Sequence, residues 1–457
     1  MRATVALALL LAAALPAAAQ QLGAPPPAAP PPLLARPPAP PPPRVVALAD
    51  AERLARANYP ALRQARANAA ASRARADESR SGLLPQVAAT AAYERSTSNF
   101  TPRPGATPSQ FSSGAQNWTT YDYFNTGVTA TQLVWDFGLT TGRWDAAKET
   151  AEADAQAAHF TEQQAVLNVR TAFFQARAGR ALVRVARDTV ANQTEHLKQT
   201  QAFVDIGTHP FIDLATARTN LANAQVQLVN AENGYDTARA RLNQAMGVEA
   251  PIDYEVSDDT LPPVEGEDLT TDALLVEALR SRPDVASADR RIVSAERSVD
   301  AARGSYWPSL GVSTGVTDAG LRVDSLGWNW FAGATLTWNL FAGGLTQAQV
   351  QEARSNVEGT RAADDQTRQQ VRFDIEQARL SVRAARTSLG ATGDAVTNAH
   401  EQLRLAEGRY KTGAGNAVEL SDAQVASTNA EAQRVQAEYN LATARAQLLQ
   451  ALGRDSR

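Results

Sequence analysis

Two hydrophobic periods divide this chain. Over its last long segment, Leu420, Ala423, Ser427, Ala430, Arg434, Ala437, Leu441, Ala444, Leu448 and Ala451 follow one another at alternating steps of three and four residues. That spacing keeps side chains on one face of an α-helix. A second series, Val425, Thr428, Ala432, Val435, Tyr439, Ala442, Ala446 and Leu449, keeps the same rhythm on the same segment. One seam serves a two-stranded coiled coil, whereas two seams let a helix contact a neighbour on each side. The small residues allow close approach, and Gln433, Gln436 and Asn440 are left for water. A closed ring of helices and an Ala-rich helical bundle both fit this pattern.

Elsewhere the period drops to two. From Ser309 to Thr317, Leu310, Val312, Thr314 and Val316 alternate with Ser, Gly and Thr. From Trp328 to Leu340, Trp328, Trp330, Ala332, Ala334, Leu336, Trp338 and Leu340 alternate with mostly small or polar residues. Segments of about ten residues, apolar on one face only, carry the signature of a transmembrane β-strand. A weaker counterpart reads Val87, Ala89, Ala91, Tyr93 and then Val128, Ala130. Six tryptophans, Trp118, Trp135, Trp307, Trp328, Trp330 and Trp338, lie in or beside these strands. Trp144 stands in the first turn of a helix, and none lies deeper. Girdles at a membrane interface fit this placement, as do half-buried aromatics in a soluble sheet.

The two periods recur because the chain is a duplication. Pro60 and Pro283 are 223 residues apart, as are Pro85 and Pro308. From VWDFGLT (134–140) against LFAGGLT (340–346) the offset becomes 206 and holds to the end. It brings Gly207 onto Gly413 and Asp213 onto Glu419. Each copy reads helix, strand, loop, strand, long helix, turn, shorter helix. The predicted helices span about 49–82, 140–204 and 213–246 in copy one, and 271–305, 346–410 and 418–452 in copy two. The predicted strands span about 85–96, 125–135, 308–317 and 328–341. At 1.5 Å per residue the long helices reach roughly 95 Å and the shorter ones roughly 50 Å. Two half-length staves therefore match one full-length stave, as in a cylinder.

Composition then fixes the context. Arg2, the apolar run Val5–Leu15 and Ala17-Ala18-Ala19 form a secretory signal peptide over residues 1–19. Residues 20–44 form a Pro-rich leader holding twelve of the 24 prolines, which favours extended polyproline II over a packed core. The first repeat spans 45–250, a linker 251–268, the second repeat 269–453 and a tail 454–457. After the signal no run of about eighteen apolar residues occurs, so entry into a membrane requires a closed barrel. Four strands cannot close one alone, which makes the chain an obligate oligomer if it spans a membrane. There is no cysteine, and a net charge of −4 in a well-mixed 20% of charged residues gives no sign of nucleic-acid binding. His159, His196, His209 and His400 lie far apart, and no nucleophile or phosphate-loop motif appears, so neither enzyme activity nor a metal or cofactor is expected.

The segments RPDV…YWPSL (282–310), WNLFAGG (338–344) and YKTGAGNAVELSDAQ (410–424), set within this duplicated plan, resemble outer-membrane efflux proteins of the TolC type over about residues 45–453. The resemblance implies a homotrimer that shares one β-barrel in outer-membrane lipid above a periplasmic α-helical barrel. It implies a passive exit duct that docks a periplasmic adaptor (membrane fusion) protein and an inner-membrane pump of RND or ABC type. Multidrug or small-molecule efflux and type I protein secretion are then the candidate tasks. Gly207 and Gly413 would be the turn residues at the periplasmic tip. By the same likeness Glu419 and Asp422, three apart on one helix face, line the mouth and favour cations. Tyr410 would pair with Asp213 to hold the mouth shut. Gly415 stands where a family member carries arginine, so no charged latch is expected there. Trp135, Trp328, Trp330 and Trp338 would be membrane-interface aromatics. The competing reading is a soluble periplasmic coiled-coil scaffold or adaptor, which has no need of tryptophan-flanked strands of membrane length.

Overall fold

The computed structural model describes residues 44–97, 118–208, 210–249 and 251–454. The signal peptide, the proline tract through Pro43, most of the first-copy strand loop and His209 lie outside the described residues. Copy one runs β1 (Arg44–Val46), α1 (Leu48–Asn58), α2 (Pro60–Ser81), β2 (Gln86–Ser96), β3 (Tyr121–Trp135), α3 (Leu139–Asp205) and α4 (Phe211–Met246). After β4 (Tyr254–Val256), copy two runs α5 (Thr271–Ser281), α6 (Pro283–Gly304), β5 (Ser309–Gly320), β6 (Gly327–Thr337), α7 (Leu345–Lys411) and α8 (Ala417–Ala451).

Both long helices have 67 residues. The single helices expected over 49–82 and 271–305 are each broken in two, at Tyr59-Pro60 and Arg282-Pro283. The proline ring disfavours the α region for the residue before it. Accordingly Tyr59 sits at φ −59°, ψ 119° and Arg282 at φ −76°, ψ 125°, with proline opening the next helix. These breaks are the joints between half-length staves. α4 and α2 both pack along α3, and α8 and α6 both pack along α7. At the joints the return helices end on Gly247 and Gly453. A Cβ on Gly247 would lie 2.8 Å from the Asn58 carbonyl oxygen, and one on Gly453 would lie 3.0 Å from the Ser281 and Arg282 backbone. The pairs hold 36 and 22 residues, and 35 and 22, against 67 in the helix they flank.

Arg282 fastens the second joint. It is buried, with Nη1 donating to the Ala451 carbonyl at 3.2 Å and to Asp374 at 3.1 Å. Its Nε and Nη2 grip Asp284 at 3.0 and 2.7 Å. One guanidinium thus satisfies an end carbonyl of α8, the first turn of α6 and the flank of α7. The Ser281 hydroxyl adds a bond to the Leu452 carbonyl at 2.7 Å.

The two main cores surround these joints. One gathers Ala55, Phe173, Phe174, Leu242 and Met246, and the other Leu274, Val371, Ile375, Val382 and Leu448. The linker is not plain coil, because β4 pairs parallel with β1, and the Arg239 guanidinium donates to the Tyr254 carbonyl at 3.1 Å. Toward the hairpin turns, packing thins to Ala406, Tyr410, Leu420 and Ala423, with a second cluster of Val396, Ala399 and Ala430. On α8 the first predicted seam is buried except at Arg434, which is exposed. The second seam is buried only at Ala442 and Ala446, and Val425 stays exposed.

The four long strands form one antiparallel sheet in the order β2-β3-β5-β6. Register puts Ala89 opposite Val128, Val128 opposite Val316, and Val316 opposite Trp330, so the alternating apolar series of both copies share one face. The other face carries Gly127, Thr129, Ser313, Gly315, Thr317, Gly333 and Thr335, with Phe331 lying over Gly315. A bulge between Leu133 and Trp135 shifts the phase of β3 by one residue, which brings Trp135 onto the apolar face opposite Leu310. The copy-one alternation fades after Ala130 because Gln132 occupies the apolar face opposite Val312 and the bulge then changes the phase. Strand β6 ends at Thr337, short of the expected 341, and Trp338 beyond it donates its indole N–H to the Tyr306 carbonyl at 3.1 Å.

Replacing Arg282 with alanine leaves the Ala451 carbonyl unanswered at a buried joint and Asp374 with Gln370 as a neutral partner in place of a cation. Calorimetry of the detergent-solubilised protein should show a loss of about 3 kcal/mol, at the low end for a broken buried pair because both carboxylates are partly exposed. Arg454→Ala, which removes the more exposed pair with Glu277, should cost less than about 1 kcal/mol.

Candidate functional site

The two long hairpins turn by the same backbone device. Gly207 and Gly413 take φ of +79° and +74°, a region that costs a residue without Cβ little. The amide of Thr208 donates to the Phe203 carbonyl at 3.0 Å, and that of Ala414 to the Arg409 carbonyl at 2.9 Å. These bonds close the open carbonyls at the helix ends. Asn416 caps α8 by accepting from the Glu419 amide at 2.7 Å, whereas Pro210 before α4 offers no side-chain cap.

Above the turns, α3 of copy one packs against α8 of copy two along a seam that is polar where a coiled coil is usually apolar. Thr189 meets Thr428 at 3.2 Å, and Gln193 donates to Gln424 at 2.7 Å with both amides buried. His196 is buried with its ring 5.2 Å from that of Tyr410, and the Tyr410 and Thr200 hydroxyls are 3.4 Å apart. Phe203 closes the row, its ring 6.3 Å from Tyr410. Asn220 on α4 donates to Ser421 on α8 at 3.1 Å. The Gln193 side-chain oxygen is buried without a hydrogen-bond partner.

The residues singled out from sequence fall here as follows. Tyr410 is 1% exposed and belongs to the seam. Asp213, in the first turn of α4, acts electrostatically on His196, so it and Tyr410 converge on the same imidazole. Burial pushes His196 below the usual histidine range, and the Asp213 carboxylate opposes that shift. Glu419 is held by Arg409 at 3.0 Å, while Asp422 is exposed. Arg409 sits within the same hairpin as its partner, so this ion pair tightens one hairpin and does not bridge two.

Sequence reading missed Arg409, His196 and the Gln193–Gln424 pair. The signal was present, since Thr189, Gln193, His196, Thr200 and Phe203 step by four, three, four and three. Polar identity at those positions masked a buried stripe. Phe137 was missed as well. It takes φ +53°, where its copy-two counterpart is Gly343 at +60°. The cost of that conformation is offset by stacking on Trp307 at 5.4 Å and an edge contact with Trp135 at 6.0 Å.

The sheet supplies the membrane end of the site. Trp328 and Trp330 stand at one end of β6 and Trp338 just beyond the other, with Trp135 beside Leu310 at that second end. At about 3.3 Å per residue, the eight steps from Trp330 to Trp338 cover roughly 26 Å, the scale of a bilayer's apolar core. Among the described residues no helix is long and apolar enough to cross a membrane, and no group of acidic or histidine side chains could hold a metal ion.

Residues 52–248 and 274–454 match the family model for the outer membrane efflux protein, one match on each copy. The chain belongs to the outer membrane efflux protein family. It is 25% identical over 376 residues to the toluene efflux pump outer membrane protein TtgC of Pseudomonas putida, covering 79% of this chain and 74% of that protein. It is 25% identical over 423 residues to the outer membrane protein TolC of Escherichia coli, covering 87% and 80%. Among solved structures, CusC superposes with a TM-score of 0.77 at 18% identity, covering 89% of this chain and 92% of that one. The open state of the MtrE outer membrane channel of Neisseria gonorrhoeae superposes with a TM-score of 0.73 at 21% identity, covering 89% of each. The fold is therefore that of outer-membrane channels, in which a helical barrel carries a small β-barrel. This efflux protein lies in the outer membrane, extends into the periplasm and acts as a passive conduit, not an enzyme. The soluble scaffold reading falls with that placement.

Within the seam, Gln424→Leu alone strands the Gln193 amide and should destabilise by about 1–2 kcal/mol, whereas adding Gln193→Leu should recover most of the loss. A double-mutant cycle on thermal unfolding measures the coupling.

Proposed function

We propose that three copies of this efflux protein close one barrel of twelve strands, four from each, above one helical tunnel. The duct then receives cargo from an inner-membrane pump of RND or ABC type through a periplasmic adaptor. The observation that carries the reading is the sheet itself. It has one mainly apolar face, broken by Thr314 and toward its ends by Gln132 and Asp318, one face of small and polar residues, and outer edges on β2 and β6 that no other strand of the described chain pairs. Unpaired strand edges are not tolerated in lipid, so copies must supply the missing neighbours. The half-exposed second seam of α8 fits the same demand, since a neighbouring stave would cover Val425.

Energy comes from the pump, as fits a family of passive conduits. Relatives named as a toluene efflux pump outer membrane protein and an antibiotic efflux pump outer membrane protein support small-molecule export over protein secretion. At the periplasmic tip, Asp213 of α4 and Tyr410 of α7 converge on His196 of α3 and hold the mouth closed across the two hairpins. With Glu419 neutralised by Arg409, the exposed Asp422 carries most of the preference for cations.

The natural absence of cysteine makes topology directly readable. Ser313→Cys, on the small-residue face, should react with a charged thiol reagent, and Val316→Cys only with a membrane-soluble one. Reaction of Val316→Cys with the charged reagent would overturn the barrel. Native mass spectrometry of outer-membrane extracts should give a trimer, and a monomer would sink the shared duct. In planar bilayers, Asp422→Asn should lower the cation-to-anion permeability ratio more than Glu419→Gln does. Equal effects would remove the assignment to Asp422.

A further inference from the structure

We propose that His196 is a proton-sensitive latch, whose protonation at mildly acidic pH loosens the α3–α8 seam and opens the turn end of the hairpins. The inference rests on the gate reading above and adds the signal that works it. His196 is 8% exposed and sits mid-row between the Gln193–Gln424 amides and the Thr200–Tyr410 hydroxyls. The Tyr410 ring lies against it at 65°. Apart from the Asp213 carboxylate the groups packed on it are neutral, and an imidazolium placed there gives up hydration that they do not replace. Packing near the row is confined to small clusters, so the seam can part locally without disturbing the joints.

The charged groups on each packed element are few. On α4 they are Asp213, which favours the protonated ring, and Arg218, which donates to Gln201 of α3 at 3.4 Å in solvent. On α7 it is Arg409, already engaged by Glu419 of α8. On α8 the other is the exposed Asp422. On α3 itself, Glu195 and Lys198 pair with each other at 3.6 Å in solvent. The balance of these influences is a lowered proton affinity of the ring, with burial the larger cause and Asp213 the smaller. The sign follows. The closed seam binds the proton less well than an opened, hydrated one, so lowering pH through the histidine range shifts the population to the open form. His400 offers the contrast, exposed and 2.6 Å from Glu431, where a charge is answered on the spot.

The test uses full-length purified protein carrying spin labels at Ile206→Cys and Val418→Cys. Both positions are exposed, one on each hairpin turn. The labels are attached at neutral pH, and distances are then read at about pH 7.5 and about pH 5.5, a window that spans histidine and spares most carboxylates. The long-distance population should at least roughly double at the lower pH, and His196→Gln should abolish that change. An unchanged distribution in the parent protein would overturn the latch. So would a response that survives His196→Gln, or one that disappears instead in His209→Asn or His400→Asn. His196→Asn provides a second neutral side chain should the glutamine variant fold poorly. This readout needs no conduction and follows a change with pH, not an oligomeric state, so a failed native-mass trimer would sink the shared duct and leave the latch result standing by itself.

Discussion

A helix of 67 residues can be flanked along its whole length only by another of that length or by two shorter ones meeting end to end, and the rest of this structure depends on how that meeting is made. End-to-end contact brings unsatisfied carbonyls of one helix toward the open amides of the next, which is costly if buried without partners. Here the return helix finishes on a glycine close against the backbone of the break, and proline opens the following helix without needing its own N–H. The dipoles then run head to tail through each joint. Copy two adds Arg282, and copy one uses the linker, with Arg239 and Arg170 tying neighbouring segments to the Tyr254 carbonyl and Glu52. The dense cores lie where the joints are because that is where the chain must be held.

The sheet obeys a different constraint. Nothing in the described chain covers either of its faces or either of its edges, and tryptophans such as Trp328 remain 77% exposed. A soluble protein hides such surface within itself. An outer-membrane protein can leave one face to lipid, but only with the edges closed by further strands. The small side chains on the opposite face, with Gly315 letting Phe331 lie flat, suit the concave side of a narrow barrel. The monomer is in this sense an incomplete object, and its incompleteness is specific about what completes it.

Much of this was legible because duplication and periodicity are long-range signals. Offsets between Pro60 and Pro283, and between Gly207 and Gly413, mark the joints and turns in the sequence alone. Helix and strand positions followed to within a few residues. What escaped was local and chemical. The proline breaks read as continuous helix because the 3-4 rhythm carries on across them, while the preceding residue's clash is a single-residue effect. The bulge after Leu133 hid Trp135's facing by changing phase mid-strand. The gate was only partly visible. Tyr410 and the acids came from resemblance, but the buried Gln193–His196–Thr200 stripe looks like a solvated face until its partner helix is known. Arg409's hold on Glu419 depends on a turn geometry that sequence spacing does not state.

The same contrast would let the proposed gate move at one end while the joints stay fixed. Near the joints, Phe173, Phe174, Leu242 and Met246 interdigitate with aliphatic side chains, so separation there would expose large apolar area. Near the turns the packing is mostly alanines, a few leucines and paired polar groups around the buried ring of Tyr410, with Phe203 at its edge. Exposing alanine costs little, and a Gln–Gln or Thr–Thr hydrogen bond that opens to water is replaced by hydration at small net cost. A seam built this way is closed by geometry more than by energy. It needs only a small differential interaction, such as the grip of a docking partner or a buried charge, to change its population. Had the row from Thr189 to Thr200 been leucine, the hairpins would hold more firmly and the latch proposed for this seam would have no play.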